Sequence, residues 1–334
     1  MRLRRTQKVG QMKQKVFVTR NIPGHGIELL KKHFVVKVAP QNGPITRPNL
    51  LKGAKWADAV LSLLTDKIDA DFLSQNKHLK IVANYAVGYD NIDLKSATLC
   101  HIPITNTPGV LTESVAEHAV ALMMALGKRV VEADSFLRAG KYKAWNPSLL
   151  LGTEFDGKTC GVIGTGRIGA LFVKFAKALN MHIVYTDVNR VPELEKEYGA
   201  KFTTLDSLLK QSDFVSVHVP LLPSTRHLIN AKTLKLMKKT AFLINTSRGP
   251  VVDEKALYQA LKRKQIAGAG LDVFEFEPKP VAGLTKLSTV VLTPHIASAT
   301  VEARNEMSIL AAQNIIAALN GKTPPSLVNK DLVK

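Results

Sequence analysis

Short apolar runs punctuate the chain at intervals that alternating strands and helices would produce. Val16-Phe17-Val18-Thr19, Ala59-Val60-Leu61-Ser62-Leu63 and Ile81-Val82-Ala83-Asn84 read as strands, and Gly26 to Lys32 and Asp69 to Gln75 as helices between them. Such alternation predicts a parallel sheet covered on both faces. From Thr112 through Leu126 and on to about Ala139 the pattern predicts a long helical stretch, with Thr112-Glu113 as a capped start and Gly140 as a stop. Lys141 to Gly152, with Trp145 and Pro147, reads as an irregular arm. A second strand-helix series runs from Lys158 to His295. One more helix follows from Val301 to Leu319, ending at Asn320-Gly321. No short-period repeat or low-complexity tract interrupts this plan. The layout is two α/β units joined by long helices.

The second series opens on a glycine-rich turn. Strand-like Thr159-Cys160-Gly161-Val162-Ile163 leads into Gly164-Thr165-Gly166-Arg167-Ile168-Gly169, after which Ile168, Phe172, Phe175 and Leu179 keep helical spacing. A second strand, His182-Ile183-Val184-Tyr185-Thr186, ends at Asp187. A Gly-x-Gly-x-x-Gly alone is weak evidence, since tight packed turns use the same residues. Strand, glycine turn, helix, second strand and terminal acid together make a dinucleotide site. The glycines let the backbone approach the pyrophosphate, the helix N-terminus receives it, and the acid binds the ribose diol. Asp187 favours NAD(H), because a carboxylate repels a 2′-phosphate. Asn189 and Arg190 leave NADP(H) open, since a nearby arginine can accept that phosphate.

Three polar residues then stand where apolar runs end. Arg248 closes Ala241-Phe242-Leu243-Ile244-Asn245-Thr246-Ser247-Arg248, and His295 closes Val290-Val291-Leu292-Thr293-Pro294-His295. Both runs read as buried parallel strands. Glu277 follows a third such stretch, at Leu271, by a few residues. Ligands of open α/β sheets bind at the carboxyl ends of strands. Each residue has a plainer reading: a surface arginine, a loop acid before Pro278, a hydrogen-bonded turn histidine. Behind a dinucleotide site the three together suit reduction of a 2-oxo acid. Arg248 grips the carboxylate or carbonyl oxygen, His295 donates a proton, and Glu277 favours the charged imidazole. His118, inside an apolar helical stretch, reads as a satisfied core or interface residue. His218, beside Pro220, lines an adenine pocket or serves the fold.

Composition narrows the classes. The 334 residues suffice for about two domains, and 46% hydrophobic with 22% charged residues is ordinary for a globular protein. No apolar run is long enough to span a membrane, and the basic start lacks the apolar stretch of a secretory signal. Met12 directly precedes the first strand, so residues 1–11 read as a disordered extension or as sequence ahead of the true start. Cys100 and Cys160, the only cysteines, have no metal-like spacing and fit a reducing cytoplasm. No metal is expected, as no His/Asp/Glu cluster has ligand spacing. The net charge is +19, of which residues 1–15 supply six basic and no acidic groups. The remaining charges are dispersed and no nucleic-acid motif accompanies them, which predicts a solvated basic surface that steers anionic substrates.

These motifs resemble the D-isomer-specific 2-hydroxyacid dehydrogenase family from about Val16 onward, and within it the glyoxylate/hydroxypyruvate reductases. Asn84-Tyr85-Ala86-Val87-Gly88-Tyr89-Asp90-Asn91-Ile92-Asp93 resembles the family's substrate loop, in which the amides matching Val87 and Gly88 hold the substrate carboxylate. Thr246-Ser247-Arg248-Gly249, Gly270 through Pro278 and Pro294-His295-Ile296-Ala297-Ser298-Ala299-Thr300 resemble its arginine, glutamate and histidine motifs. The resemblance implies two Rossmann-like, doubly wound parallel-sheet domains. A flavodoxin-like substrate domain is expected over 12–106 and 302–334, and a dinucleotide-binding domain over 107–301. It further implies cofactor contacts at Gly164 to Gly169, Asp187, Val219, Pro220, Thr246, Ser247, Arg248, Asp272, His295 and Ala297. Substrate contacts are implied at Val87, Gly88, Arg248 and His295. Trp145, on the arm with Asn146-Pro147, implies a homodimer in which it reaches the neighbouring subunit's site. Two positions depart from the reductase pattern. Ala297 replaces a usual glycine, and Asp187 stands where NADPH-preferring members have a non-acidic residue.

The reading that follows is a cytoplasmic NAD(P)H-dependent reductase of glyoxylate or hydroxypyruvate giving the D-2-hydroxy acid, with no nucleic-acid or membrane partner. Alternatives are a 2-ketogluconate reductase, a phosphoglycerate dehydrogenase, and an NADH-sensing corepressor-like binding protein. The chain stops soon after Asn329, which leaves no room for the regulatory domain of a phosphoglycerate dehydrogenase. Glu277 disfavours formate dehydrogenase chemistry, whose members resemble this pattern with glutamine there.

Overall fold

The computed structural model describes residues 13–41 and 43–333. The reading of residues 1–11, and Met12 as the first residue of a domain, lie outside the described residues. Two compact units divide the chain. One comprises the residues up to Leu111 together with those from Thr300 onward, and the other spans Thr112–Ala299.

The first unit begins as β1 (Lys15–Val18), α1 (Gly26–His33), β2 (Val35–Val38), α2 (Arg47–Trp56), β3 (Ala59–Ser62), α3 (Ala70–Gln75), β4 (Ile81–Asn84), α4 (Leu94–Leu99) and β5 (Ile104–Thr105). All strands pair in parallel, in the order β2-β1-β3-β4-β5, the flavodoxin-like arrangement. The central strands β3 and β4 are buried at every position, which is why they read as continuous apolar runs. Edge strand β2 alternates exposed and half-buried although it lies in the apolar run Phe34-Val35-Val36-Lys37-Val38-Ala39. Asp69 caps α3 by accepting the N–H of Phe72.

In the second unit, α5 (Thr112–Gly127) and α6 (Val130–Arg138) precede β6 (Thr159–Ile163), α7 (Arg167–Ala178), β7 (His182–Thr186), α8 (Pro192–Tyr198), β8 (Lys201–Phe202) and α9 (Leu205–Gln211). There follow β9 (Phe214–Val217), α10 (Ala231–Leu234), β10 (Phe242–Asn245), α11 (Glu254–Lys262), β11 (Gly268–Leu271) and β12 (Val290–Leu292). The seven strands are parallel in the order β12-β11-β10-β9-β6-β7-β8, a Rossmann sheet with one added edge strand. Strand β11 is Gly-Ala-Gly-Leu. A Cβ on Gly270 would approach Leu122 and Leu126 to 3.1 Å, so small residues there let α5 lie close on the sheet.

Three expectations need correction. The helical stretch from Thr112 to Ala139 is two helices, broken where Arg129 turns left-handed (φ 53°). The arm supplies the reason: Thr153 N–H donates to the Gly127 carbonyl at 2.7 Å, and Gly152 lies directly against it, capping α5. The buried face of α7 is Gly169, Phe172, Val173 and Ala176, rotated from the Ile168-Phe172-Phe175-Leu179 stripe, because Gly169 must touch the preceding turn. Strand β12, before His295, lies at the sheet edge and is half-buried throughout rather than buried.

The chain then returns to the first unit as α12 (Val301–Leu319), capped by Thr300 and packed on α1. Gly26 lies so close to Ser308 that a Cβ would sit 2.1 Å from its carbonyl oxygen. Beyond α12, buried Asn329 bridges β5: its Oδ1 accepts Ile104 N–H at 2.8 Å and its Nδ2 donates to the Ile102 carbonyl at 2.9 Å. Among the described residues no helix is long and apolar enough to cross a membrane. Replacing Asn329 by alanine strands a buried donor and a buried acceptor, and is expected to cost about 2–3 kcal/mol. Urea unfolding checks this; a loss below about 0.5 kcal/mol would show that the tail is not a fastening point.

Candidate active site

The glycine turn leaves β6 at Gly164, whose positive φ (89°) brings its backbone against His218 and Val219. A Cβ on Gly169 would lie 2.0 Å from the Gly164 carbonyl oxygen, so this position tolerates no side chain. At Gly166, the N-cap of α7, a Cβ would meet nothing within 4 Å, which leaves the mouth of the helix open to a ligand. Asp187 follows β7. Its Oδ2 accepts the N–H and hydroxyl of Thr165 at 2.6 and 3.1 Å, and its Oδ1 accepts Val188 N–H at 2.6 Å. Arg190 is committed elsewhere, bidentate to Glu195 with both contacts at 2.6 Å. That pairing, then the hydroxyl of Tyr185, lowers the Glu195 carboxyl to about 2. Thr246, 8% exposed, has a hydroxyl without a hydrogen-bond partner among the described residues. Val219 is half-buried beside Gly164, and Pro220 is exposed. His218 is half-buried overall, but its ring packs on Phe172 at 5.0 Å and meets Ser216 Oγ at 2.8 Å. Burial pushes its pKa down to about 3, so it stays neutral.

Arg248 ends the turn after β10, shaped by buried Asn245. The Asn245 side chain accepts Ser247 N–H (3.0 Å) and hydroxyl (2.8 Å) and donates to the Arg248 carbonyl (3.0 Å). Arg248 Nη1 donates to the Ser247 carbonyl at 2.9 Å. The next residue, Gly249, presses on the loop after β11: a Cβ there would lie 1.9 Å from Phe274 carbonyl atoms. Glu277 Oε1 accepts Phe274 N–H at 3.1 Å, and Oε2 meets His295 Nδ1 at 3.0 Å. Burial raises the Glu277 carboxyl, but His295, Phe274 N–H and the charge of Arg248 outweigh it and hold the pKa below its ordinary value. His295 keeps a left-handed backbone (φ 54°) with its side chain 26% exposed. With Nδ1 turned to the carboxylate, Nε2 is the atom that can give or take a proton.

Asp272 builds the loop under that imidazole. Wholly buried, it accepts Ile296 N–H and Ala297 N–H, both at 2.8 Å, and the Thr293 hydroxyl at 2.7 Å. Its own carbonyl accepts His295 N–H at 2.8 Å. His118 Nε2 lies 2.9 Å from Thr293 Oγ1 and 3.5 Å from Asp272 Oδ1. The hydroxyl donates to the carboxylate, so it accepts from His118, which fixes Nε2 as the protonated nitrogen. Ala297 is held from both sides, its carbonyl accepting Ser114 Oγ at 2.7 Å.

In the first unit, Val87 and Gly88 follow β4. Their carbonyls accept from Asn106 Nδ2 (2.8 Å) and Asn84 Nδ2 (2.9 Å). Across a trans peptide the following N–H opposes the carbonyl, so the N–H groups of Gly88 and Tyr89 face away from those two asparagines, and the Ala86 carbonyl, accepting Thr107 N–H at 2.8 Å, does the same for Val87 N–H. Trp145 stands 78% exposed on the arm.

Residues 120–297, more than half of the chain, match the D-isomer specific 2-hydroxyacid dehydrogenase NAD binding domain. The chain belongs to the D-isomer-specific 2-hydroxyacid dehydrogenase family. A relative named glyoxylate reductase, from Korarchaeum cryptofilum, is 51% identical over 325 residues, covering 97% of this chain and 98% of the relative. Among solved structures, an NADPH-dependent glyoxylate/hydroxypyruvate reductase from Sinorhizobium meliloti, in complex with NADP and malonate, superposes with a TM-score of 0.83 at 31% identity. It covers 95% of this chain and 97% of its own. A D-lactate dehydrogenase from Aquifex aeolicus, complexed with NAD and lactic acid, gives 0.83 at 31% identity over 94% and 99% of the two chains.

For this dehydrogenase the residues fit a nicotinamide dinucleotide. The open mouth at Gly166, the partnerless Thr246 hydroxyl and the carboxylate of Asp187 at the strand end are the features such a ligand uses. Among the described residues no group of three His, Cys, Asp or Glu is placed to hold a metal. Sequence reasoning quoted Asn84, Asn245 and Thr293 within its motifs but missed their roles, and it missed Asn106 and the role of His118, since each acts through a backbone or a neighbour.

The Asp272 carboxyl is raised by burial but lowered further by His118, Thr293, Ile296 and Ala297, so its pKa lies below the ordinary 3.8. Its stabilisation is present above that ordinary value and lost as pH falls through the depressed one. Asp272→Asn is expected to cost about 2–4 kcal/mol in denaturant unfolding at neutral pH, with the gap closing at more acid pH. A gap independent of pH would refute the ionised anchor.

Proposed function

We propose that this dehydrogenase is an NADH-dependent reductase of glyoxylate or hydroxypyruvate, giving the D-2-hydroxy acid. The observation that carries the proposal is the 3.0 Å contact of His295 Nδ1 with Glu277 Oε2, made next to Arg248 and in the same unit as the dinucleotide turn. Full-length relatives that carry the name glyoxylate reductase support the choice of substrate.

NADH, when bound, supplies the hydride that reduces the carbonyl carbon. Arg248 binds the oxo acid as a fixed cation with a planar fork of donors. In the first unit, the N–H groups of Val87 and Gly88 form an anion-binding run of amides suited to a carboxylate. His295 gives its Nε2 proton to the carbonyl oxygen, which becomes the hydroxyl of the product. Glu277 accepts the Nδ1 hydrogen throughout and favours the charged imidazole before transfer. In the reverse direction neutral His295 takes the hydroxyl proton at Nε2. Gly164 to Gly169 receive the pyrophosphate, and Thr246, Ser247, Asp272 and Ala297 bound the nicotinamide side. Val219 and Pro220 bound the adenine side. Asp187 binds the ribose diol, and Arg190, held by Glu195, is withdrawn from a 2′-phosphate, which supports NADH over NADPH.

A steady-state panel of glyoxylate, hydroxypyruvate and 2-ketogluconate with both cofactors tests this. We expect the smaller acids with NADH to give the highest kcat/KM, and Arg248→Ala to lose about 100-fold, mostly in substrate binding. Failure to oxidise either cofactor with any 2-oxo acid would overturn the reading.

The second unit also exposes an apolar belt. Val130, Val131 and Leu137 on α6, with Tyr142, Trp145 and Leu151 on the arm, are 48–78% exposed. We assign this belt to a second copy of the chain, in whose site Trp145 then takes part. The homodimer is proposed as a cytoplasmic enzyme, consistent with two free cysteines, of which buried Cys160 has its thiol pushed up to about 12. Sedimentation at micromolar concentration should show a dimer that Leu137→Glu with Val131→Glu dissociates; a monomeric parent protein would refute the assignment.

A further inference from the structure

The loop that carries Glu277 is fastened at both ends by a single buried side chain. Glu254 opens α11 and is 2% exposed. Its Oε2 accepts the N–H of Glu275 at 2.7 Å, and its Oε1 accepts the N–H of Val281 at 2.6 Å. Glu275 returns the contact, since its Oε2 accepts Glu254 N–H at 3.3 Å. The other oxygen of Glu275 faces His227 Nε2 at 2.7 Å and Arg226 Nη2 at 3.3 Å, with its side chain only 5% exposed. Two carboxyl side chains thus lie side by side with little access to water. That is a costly arrangement for a loop that neutral groups could equally well anchor.

What it secures is position. Glu277 lies between the two clamped amides, and its carboxylate meets Phe274 N–H and His295 Nδ1. Phe276 is exposed and touched by the Lys255 ammonium at 5.9 Å, so it adds little restraint. A slip of about 1 Å at the carboxylate would exceed hydrogen-bond reach from 3.0 Å. We infer that Glu254 is a positioning residue for the proton relay. By holding the amides of Glu275 and Val281 it sets Glu277 against His295 Nδ1, with Glu275, His227 and Arg226 as the opposing brace. The inference rests on the acid–base reading of His295 and Glu277 given above. The charged and titratable groups that face this system are Arg248 and His295 at Glu277, Glu275 at Glu254, and His227 and Arg226 at Glu275.

The test compares kcat against pH for glyoxylate reduction, at saturating NADH, in the parent enzyme, E277Q, E254Q and the double variant. Reduction needs protonated His295, so activity falls on the alkaline side, and loss of the Glu277 carboxylate moves that limb to lower pH. In E254Q the amide end of the side chain meets one of the two N–H donors and releases one clamp. Its limb should move in the same direction as that of E277Q, with kcat lower by about 10-fold and KM for NADH unchanged within about twofold. The double variant should share the limb of E277Q, because the two residues act in series.

A lowered Tm in E254Q with the limb in its parental place overturns the inference while leaving the relay intact. A limb in the double variant displaced beyond that of E277Q also overturns it. An unmoved limb in E277Q overturns the relay and the inference with it. If E254Q does not fold, E275Q removes the opposing brace and is judged by the same limb.

Discussion

A buried carboxylate demands hydrogen-bond donors, and Asp272 draws three of its four from the few residues around His295. Thr293 stands two residues before the histidine, Ile296 and Ala297 directly after it. To satisfy them from one point the chain must fold tightly around His295. That folding forces the left-handed backbone at His295, a conformation an L-residue adopts only when its surroundings over-determine it. The imidazole therefore projects from a loop that has no freedom to rotate it. His118 on α5 joins the same cluster through Thr293 and so couples the loop to the helix that covers β11.

Glu277 and Arg248 are arranged by a second constraint, the pressing of Gly249 on Phe274. The turn after β10 and the loop after β11 meet backbone to backbone, at a distance any side chain on residue 249 would prevent. Neighbouring parallel strands end side by side, so the loops leaving them converge, and three strand ends deliver three different charges to one place. The result is an alternation of cation, carboxylate and imidazole in which the flanking groups hold the Glu277 carboxyl below its ordinary pKa.

Much of this was legible in the residues themselves. Thr159–Ile163 and His182–Thr186 have the predicted strand limits because their buried interiors, Cys160 to Ile163 and Ile183 to Tyr185, are runs without a charged residue, and glycine is demanded where backbones touch. Val301–Leu319 likewise has the predicted helix limits, ending at Asn320. What escaped was set by partners distant in sequence. Gly127 is the one local sign of the helix break before Arg129, and the cap that completes it comes from the distant Gly152 and Thr153. Glu254 drew no reading from the sequence, since a first-turn acid suits the helix dipole in any helix, and only the fold shows it buried. His118 sits on an apolar stripe, and its polar partner lies 175 positions away.

The return of α12 to the first unit has a consequence for how the protein is made. Glycine contacts between α1 and Ser308, and the hold of Asn329 on β5, require chain that leaves the ribosome after the whole second unit has emerged. The second unit is continuous and can close its core as soon as Ala299 is clear. The first unit meanwhile waits with the apolar backs of β3 and β4 lacking their last covering helix. Birth order and folding order are thus opposed, and the part synthesised first is the part completed last.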